Sequence, residues 1–178
     1  MTLYTIGHGS RSIGELVALL QQAGVACLVD VRAYPASRRH PQFARGALQR
    51  SLADAGIRYE WEGKALGGRR SPAGNSRHIA LKEPGLRAYA DHMMSAEFGA
   101  ALDRLAELAS ATRTAVLCAE RLPQECHRSL ISDSLHARGA EVLHLIGSEP
   151  PVPHALNPLA RIEGEALVYD GGCQLRLL

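Results

Sequence analysis

In Thr114-Ala115-Val116-Leu117-Cys118-Ala119-Glu120-Arg121-Leu122-Pro123-Gln124-Glu125-Cys126-His127-Arg128, a strand, a loop and the start of a helix follow one another. Thr114 to Leu117 is a short run of β-branched and apolar residues, the pattern of a strand buried on both faces. Pro123 interrupts the loop. Leu130, Ile131 and Leu135 then recur with helical spacing before Gly139. The strand is therefore predicted to end at Cys118, and Cys126-His127-Arg128 to lie in the first turn of the helix. In an open parallel sheet, ligands bind beyond the carboxyl ends of the strands. A helix start adds free N–H groups and partial positive charge, which suit an anion or a thiolate.

Working outward, the same alternation repeats. Leu3 to Ile6 reads as a strand with Gly7-His8-Gly9 as its exit, and Ser12 to Glu15 is a capping box opening a helix closed by Gly24. Val25 to Val31 is a second buried strand ending in Asp30-Val31-Arg32. Pro35 and Pro41 keep the next loop from being helical throughout. A helix then carries Phe43, Leu48 and Leu52 inward, and Ile57 to Trp61 alternates as a strand. Gly63 to Pro84 shows no sustained periodicity and is expected to be a long loop, either a functional lid or disordered. Gly85 to Met94 and Glu97 to Ala109 read as helices, and Glu141 to Ile146 as a buried strand. Ala166 to Tyr169 and Cys173 to Leu177, joined through Asp170-Gly171-Gly172, suggest a terminal hairpin. The expectation is one α/β domain over residues 1–178, a three-layer α/β/α arrangement with a mostly parallel sheet and a C-terminal β-hairpin.

Length and composition narrow the class. At 178 residues with 46% apolar content, the chain suits one soluble globular core, and no run is long enough to span a membrane. The amino-terminal residues lack the pattern of a signal peptide, so a cytoplasmic location with its four cysteines reduced is expected. The net charge of +2 hides an uneven distribution. Val31 to Ala53 and Gly63 to Lys82 together hold 10 of the 20 cationic residues and none of the 18 acidic ones. This predicts an anion-facing surface.

With His8, Asp30-Val31-Arg32, Leu66-Gly67-Gly68, Leu117-Cys118-Ala119-Glu120 and Cys126-His127-Arg128 in place, the chain resembles the bacterial domain of unknown function 488 family. The resemblance runs from Thr5 to about Leu145, with the motifs in the same order and spacing. Thr5-Ile6-Gly7-His8-Gly9-Ser10 matches the family's opening, and Asp30, Arg32 and Pro35 match the end of its second strand. Where the family often has Phe-Asn, this chain has Phe43-Ala44. The resemblance implies the fold and no particular activity. A looser similarity to rhodanese-like sulfur transferases rests on the Asp-x-Arg strand and the cysteine after a central strand. The longer connection from Cys118 to Cys126 and Arg128 departs from that pattern.

The candidate catalytic residues are His8, Asp30, Cys118 and Glu120. Cys118 at a strand end, near helix dipoles and arginines, is where a thiol pKa is commonly lowered, although buried structural cysteines are also common. Glu120 reads as a general base or as the partner of Arg128. Gly7 and Gly9 let backbone approach a ligand. Arg32, Arg38 and above all Arg128 are expected to bind the anion, with Cys126 and His127 at the helix start. Asp30 orients a base or substrate, or simply pairs with Arg32.

A metal could be held by Cys118, Cys126, His127 and His8. However, seven residues separate the cysteines, unlike the close pairs of common zinc sites, so neither metal nor other cofactor is expected. The leading expectation is an enzyme, a hydrolase or transferase with a cysteine nucleophile, acting on a small phosphate-bearing or nucleotide-like substrate. The alternatives are a nucleic-acid-binding protein, with Tyr34, Phe43 and Trp61 as stacking faces, and a metal-binding domain.

Overall fold

The computed structural model describes residues 1–72 and 74–171. Strand β1 (Thr2–Gly7) is followed by helix α1 (Ile13–Gln22) and strand β2 (Cys27–Asp30). Next come helix α2 (Arg45–Asp54), strand β3 (Arg58–Trp61) and a single helical turn, α3 (Gly63–Leu66). Helices α4 (Pro84–Met93) and α5 (Ala96–Ala111) precede strand β4 (Thr114–Cys118), helix α6 (Arg128–Ala137) and strand β5 (Glu141–Leu145). The sheet runs β3-β2-β4-β1-β5 in parallel, and a short strand β6 (Val152–Pro153) adds antiparallel to β5. Pro153 suits that edge, where a missing N–H costs no ladder bond.

Side-chain alternation along the strands builds two cores. Leu28, Ala115, Leu117 and Ile6 pack on one face with Leu16 and Leu20 of α1 and Leu48 and Leu52 of α2. Cys27, Val29, Val116, Cys118 and Leu3 pack on the other with Tyr89, Phe98, Leu102, Leu130 and Ile131 of α4, α5 and α6. The three-layer α/β/α expectation is correct. Strand β4 is central and wholly buried, which explains why its sequence lacks polar alternation. Ser12 and Glu15 form the expected capping box, the Ser12 N–H donating to Glu15 Oε2 at 2.6 Å and the Glu15 N–H to Ser12 Oγ at 3.2 Å.

Three elements differ from expectation. The terminal hairpin is formed by Ala160–Glu163 (β7) and Ala166–Tyr169 (β8). The expected partner, Cys173 to Leu177, lies outside the described residues. The turn of that hairpin is Gly164-Glu165, with Gly164 at φ 62°, a conformation glycine adopts without steric cost. Second, the aperiodic segment after Gly63 is not exposed throughout. Ala65, Leu66, His78 and Leu81 are buried, and Arg70 ties the segment down by donating to the carbonyls of Lys64, Ala65 and Gly67. Third, helix α6 begins at Arg128. Pro123–Glu125 form a 3₁₀ turn, and Cys126 is extended, immediately before the helix rather than in it.

Candidate functional site

The site grows from two adjacent strand exits. Gly7 of β1 pairs with Cys118 of β4, and the ladder continues past the sheet: His8 N–H donates to Cys118 O at 3.0 Å and Gly9 N–H to Ala119 O at 2.7 Å. A Cβ at position 7 would overlap the Glu120 carbonyl, so only glycine lets the loops approach this closely. Arg11 locks the exit further by donating to the carbonyls of Gly7 and Ile146.

The 3₁₀ turn at Pro123–Glu125 folds the chain back on itself and overturns the spacing argument against a cysteine pair. Cys118 Sγ, Cys126 Sγ and His127 Nδ1 all lie within 4.8 Å of one another. Cys118 Sγ is 3.8 Å from His127 Nδ1 and 3.7 Å from Glu120 Oε2. The other ring nitrogen of His127, Nε2, is 3.2 Å from the Val31 carbonyl. A carbonyl only accepts, so this contact holds a proton on Nε2 and leaves the Nδ1 lone pair facing the sulfurs. Tyr89 packs against the imidazole, its ring centroid 4.9 Å away, and donates its hydroxyl to Leu66 O at 2.9 Å. Gly68 covers the ring from the other chain segment. Nothing in the local sequence around Tyr89 marks it as a neighbour of His127; the contact exists only once α4 is packed.

The two thiols are not equivalent. The hydrogen bond that Cys118 gives to Cys126, together with burial, pushes the Cys118 thiol well above its usual range. Cys126 is held below its usual value by that same hydrogen bond, against the cost of burial, with help from the Arg128 charge and the Arg128 backbone N–H. These directions favour negative charge on Cys126 over Cys118.

Asp30 has no exposure and acts through Arg32. It accepts from Arg32 Nε at 2.9 Å, Arg32 Nη2 at 2.6 Å, the Arg32 backbone N–H at 3.0 Å and the Tyr59 hydroxyl at 2.8 Å. This fixed fork leaves Arg32 Nη1 without a protein partner among the described residues.

A cavity of about 750 Å³ opens beyond the strand ends. Cys118, Cys126, His127, Glu120, Arg32 and Arg69 all line it. A smaller cavity of about 320 Å³ adjoins it and is lined by His8, Gly9, Arg39 and His40, with Arg32, Tyr34, Ala36 and Glu120 shared between the two. His8 stacks on Phe43 with ring centroids 4.4 Å apart, and burial pushes its pKa down.

Other expected site residues fall outside both cavities. Gly7 and Asp30 lie beneath them, and Arg38 is exposed beside Arg39, which takes the place foreseen for it. Arg128, expected as the principal anion ligand, is only 1% exposed and lines neither cavity. Its side chain runs under the strand exits: Nη2 donates to Arg121 O at 3.2 Å, and Nη1 lies 2.7 Å from where a Cβ on Gly7 would fall. Glu120 is not its partner.

The cations of the acid-free stretches are partly taken up by contacts within the chain, some buried and some at the surface. Arg32 pairs with Asp30, Arg45 lies 4.9 Å over Trp61, Arg70 binds carbonyls, and Arg77 pairs with Glu163. Glu83 and Glu125, which the charge pattern did not flag, also line the large cavity. Of the expected stacking faces, Phe43 is buried and Trp61 donates its N–H to Arg32 O at 3.0 Å. Tyr34, 72% exposed at the cavity mouth with Arg69 above it, remains open. Among the described residues, no helix is long and apolar enough to cross a membrane.

No curated protein and no solved structure matches the chain. The profile described as Domain of unknown function DUF488 matches residues 12–135. That span includes Asp30, Arg32, Gly68, Cys118, Glu120, Cys126 and His127 and leaves out His8. Since it covers more than half of the sequence, the chain belongs to the DUF488 family.

Proposed function

We propose that this protein is an enzyme, a hydrolase or transferase, that takes a small anionic substrate, phosphate-bearing or nucleotide-like, into the larger cavity. One observation carries the reading: two sulfurs, an imidazole and a carboxylate, brought together where residues 118–127 fold back on themselves, converge on the floor of a cavity at the carboxyl edge of a parallel sheet. Arg32 supports the anionic choice of substrate. Its guanidinium is oriented by Asp30 and offers Nη1 at the cavity wall, with Arg69 across from it. In this reading the sulfur–imidazole cluster faces the reacting atom, and Glu120 accepts and returns the proton.

The test is calorimetric titration of the whole protein with inorganic phosphate and a panel of nucleoside monophosphates and sugar phosphates. Ala36 is exposed and lines both cavities, so Ala36→Trp fills the entrance without disturbing the core. Wild-type protein should bind at least one compound, and Ala36→Trp should weaken that binding at least tenfold. The reading fails if no phosphate compound binds, or if Ala36→Trp binds as tightly as wild type.

A further inference from the structure

We infer that Cys118, Cys126 and His127 form a zinc site with three protein ligands and one open position facing the larger cavity. The inference deepens the reading above, on which it rests for the cavity being a place of reaction.

Distances come first. Tetrahedral zinc with bonds of about 2.3 Å to sulfur and about 2.0 Å to nitrogen needs a sulfur–nitrogen edge of about 3.5 Å. Cys118 Sγ and His127 Nδ1 are 3.8 Å apart, and no donor pair in the cluster exceeds 4.8 Å. Shifts within rotamer freedom bring all three onto one ion. A disulfide, by contrast, needs the sulfurs about 2.05 Å apart, a much larger rearrangement of two buried side chains.

The surroundings fit the same ion. Ligating histidines commonly give their second N–H to a carbonyl or carboxylate, which fixes the tautomer. His127 Nε2 at the Val31 carbonyl does this and leaves Nδ1 for the metal. Gly68 supplies the space, because any Cβ there would occupy the Nδ1 position. Thiolate and imidazole together select zinc over harder cations. Each cysteine loses its thiol proton on binding, so the two thiolates neutralise the ion.

The open position follows from the walls. All three ligands line the larger cavity, so the fourth vertex of the tetrahedron points into it. Three protein ligands with an open vertex is the pattern of catalytic rather than structural zinc. Glu120, with Oε2 3.7 Å from Cys118 Sγ, stands beside that vertex, where it can hydrogen-bond a metal-bound water or an oxygen of the substrate.

The test uses cobalt(II) as a coloured replacement in metal-stripped protein. One equivalent per chain should bind, with a sulfur-to-cobalt charge-transfer band and the strong visible bands of tetrahedral cobalt, and zinc(II) should displace it. Cys118→Ser and Cys126→Ser should lose the charge-transfer intensity, and Cys27→Ser should keep it. Circular dichroism checks that each variant is folded. X-ray absorption of the zinc-loaded wild type needs no variant and should give two sulfurs and two lighter atoms. Absence of a sulfur shell, or an unchanged cobalt band in Cys118→Ser with Cys126→Ser combined, overturns the site. Ala36→Trp should keep the cobalt spectrum while losing phosphate binding. If cobalt fails to bind and phosphate still does, the metal site is wrong and the anion-binding reading stands.

Discussion

Gly68 lies against the imidazole of His127 so closely that a Cβ at position 68 would overlap Nδ1 and fall 2.7 Å from Cγ. The residue is not at a positive φ, so the demand for glycine is one of space rather than backbone conformation. It ties the aperiodic segment after α3 directly to the reactive cluster.

Gly68→Ala should therefore displace the His127 ring or the segment above it, destabilising the protein by about 1–3 kcal/mol, as overpacking does. Denaturant unfolding measures this. The same variant should weaken cobalt binding, and equal stability with equal binding would show that the segment yields freely.

Asp30 was expected to be catalytic, and its geometry makes it the residue that positions Arg32. Asp30→Asn removes one side of a buried, bidentate ion pair and leaves a guanidinium 7% exposed without its counter-charge. The expected cost is about 3–5 kcal/mol, read from urea unfolding. A change below about 1 kcal/mol would mean that Arg32 finds another acceptor.

Arg128 gives a prediction with two arms. Its Nε and Nη1 are buried with no hydrogen-bond partner among the described residues. Arg128→Met keeps the stem and removes the unpaired donors, so stability should stay within about 1 kcal/mol or rise. Arg128→Ala leaves a cavity and should cost about 2–5 kcal/mol. Phosphate affinity of the folded protein should be unchanged in both. In metal-free protein, Arg128→Met should slow alkylation of Cys126, because the charge that favours its thiolate is gone.

A buried chain of hydrogen bonds sets the pH response. Thr5 Oγ1 meets His144 Nδ1 at 2.7 Å, His144 Nε2 meets His154 Nδ1 at 3.0 Å, and His154 Nε2 meets Asp133 Oδ1 at 2.9 Å. Burial, then the charges of His154 and Arg128, push the His144 pKa down to about 4. The unfolded chain takes up this proton near pH 6.5, so the folded state is at full strength above that pH and weakens as pH falls toward 4. His144 alone should remove about 3 kcal/mol across that window. Unfolding free energies at pH 7 and pH 4.5 test this. His144→Gln, which cannot take up the proton, should show a flatter profile.

Much of the fold was legible because its signals are local. The Ser12–Glu15 capping box, the β-branched and apolar Thr114–Leu117 strand and the prolines around the second connection each fix structure within a few residues. The site was legible in part. Cys118, Cys126, His127, Glu120 and Arg32 were all named, because each stands at a strand end or a helix start. What stayed hidden depends on direction and on distant packing. A helix start two residues later than expected places the Arg128 backbone beside Cys126 and sends its side chain beneath Gly7. Tyr89 and Gly68 reach His127 only through α4 and the segment before it. Strand β7 went unread, because Gly164-Glu165 is a weaker turn signal in sequence than Asp170-Gly171-Gly172.

The backbone ladder that continues from β1 and β4 into His8 and Gly9 has a consequence for how such a protein could change its substrate. Cys118 and Ala119 are gripped by carbonyl bonds at 3.0 and 2.7 Å from a neighbouring strand exit, so the floor of the cavity is set by the sheet itself. Much of the wall comes instead from the connection around Tyr34 to His40 and from Gly68, Arg69 and the start of α4, which lie outside the sheet. In the proposed reading, chemistry and selectivity thus reside in separable parts of the chain. Either wall segment is a place where grafting or randomising residues should retune what enters, while the reactive floor is inherited intact.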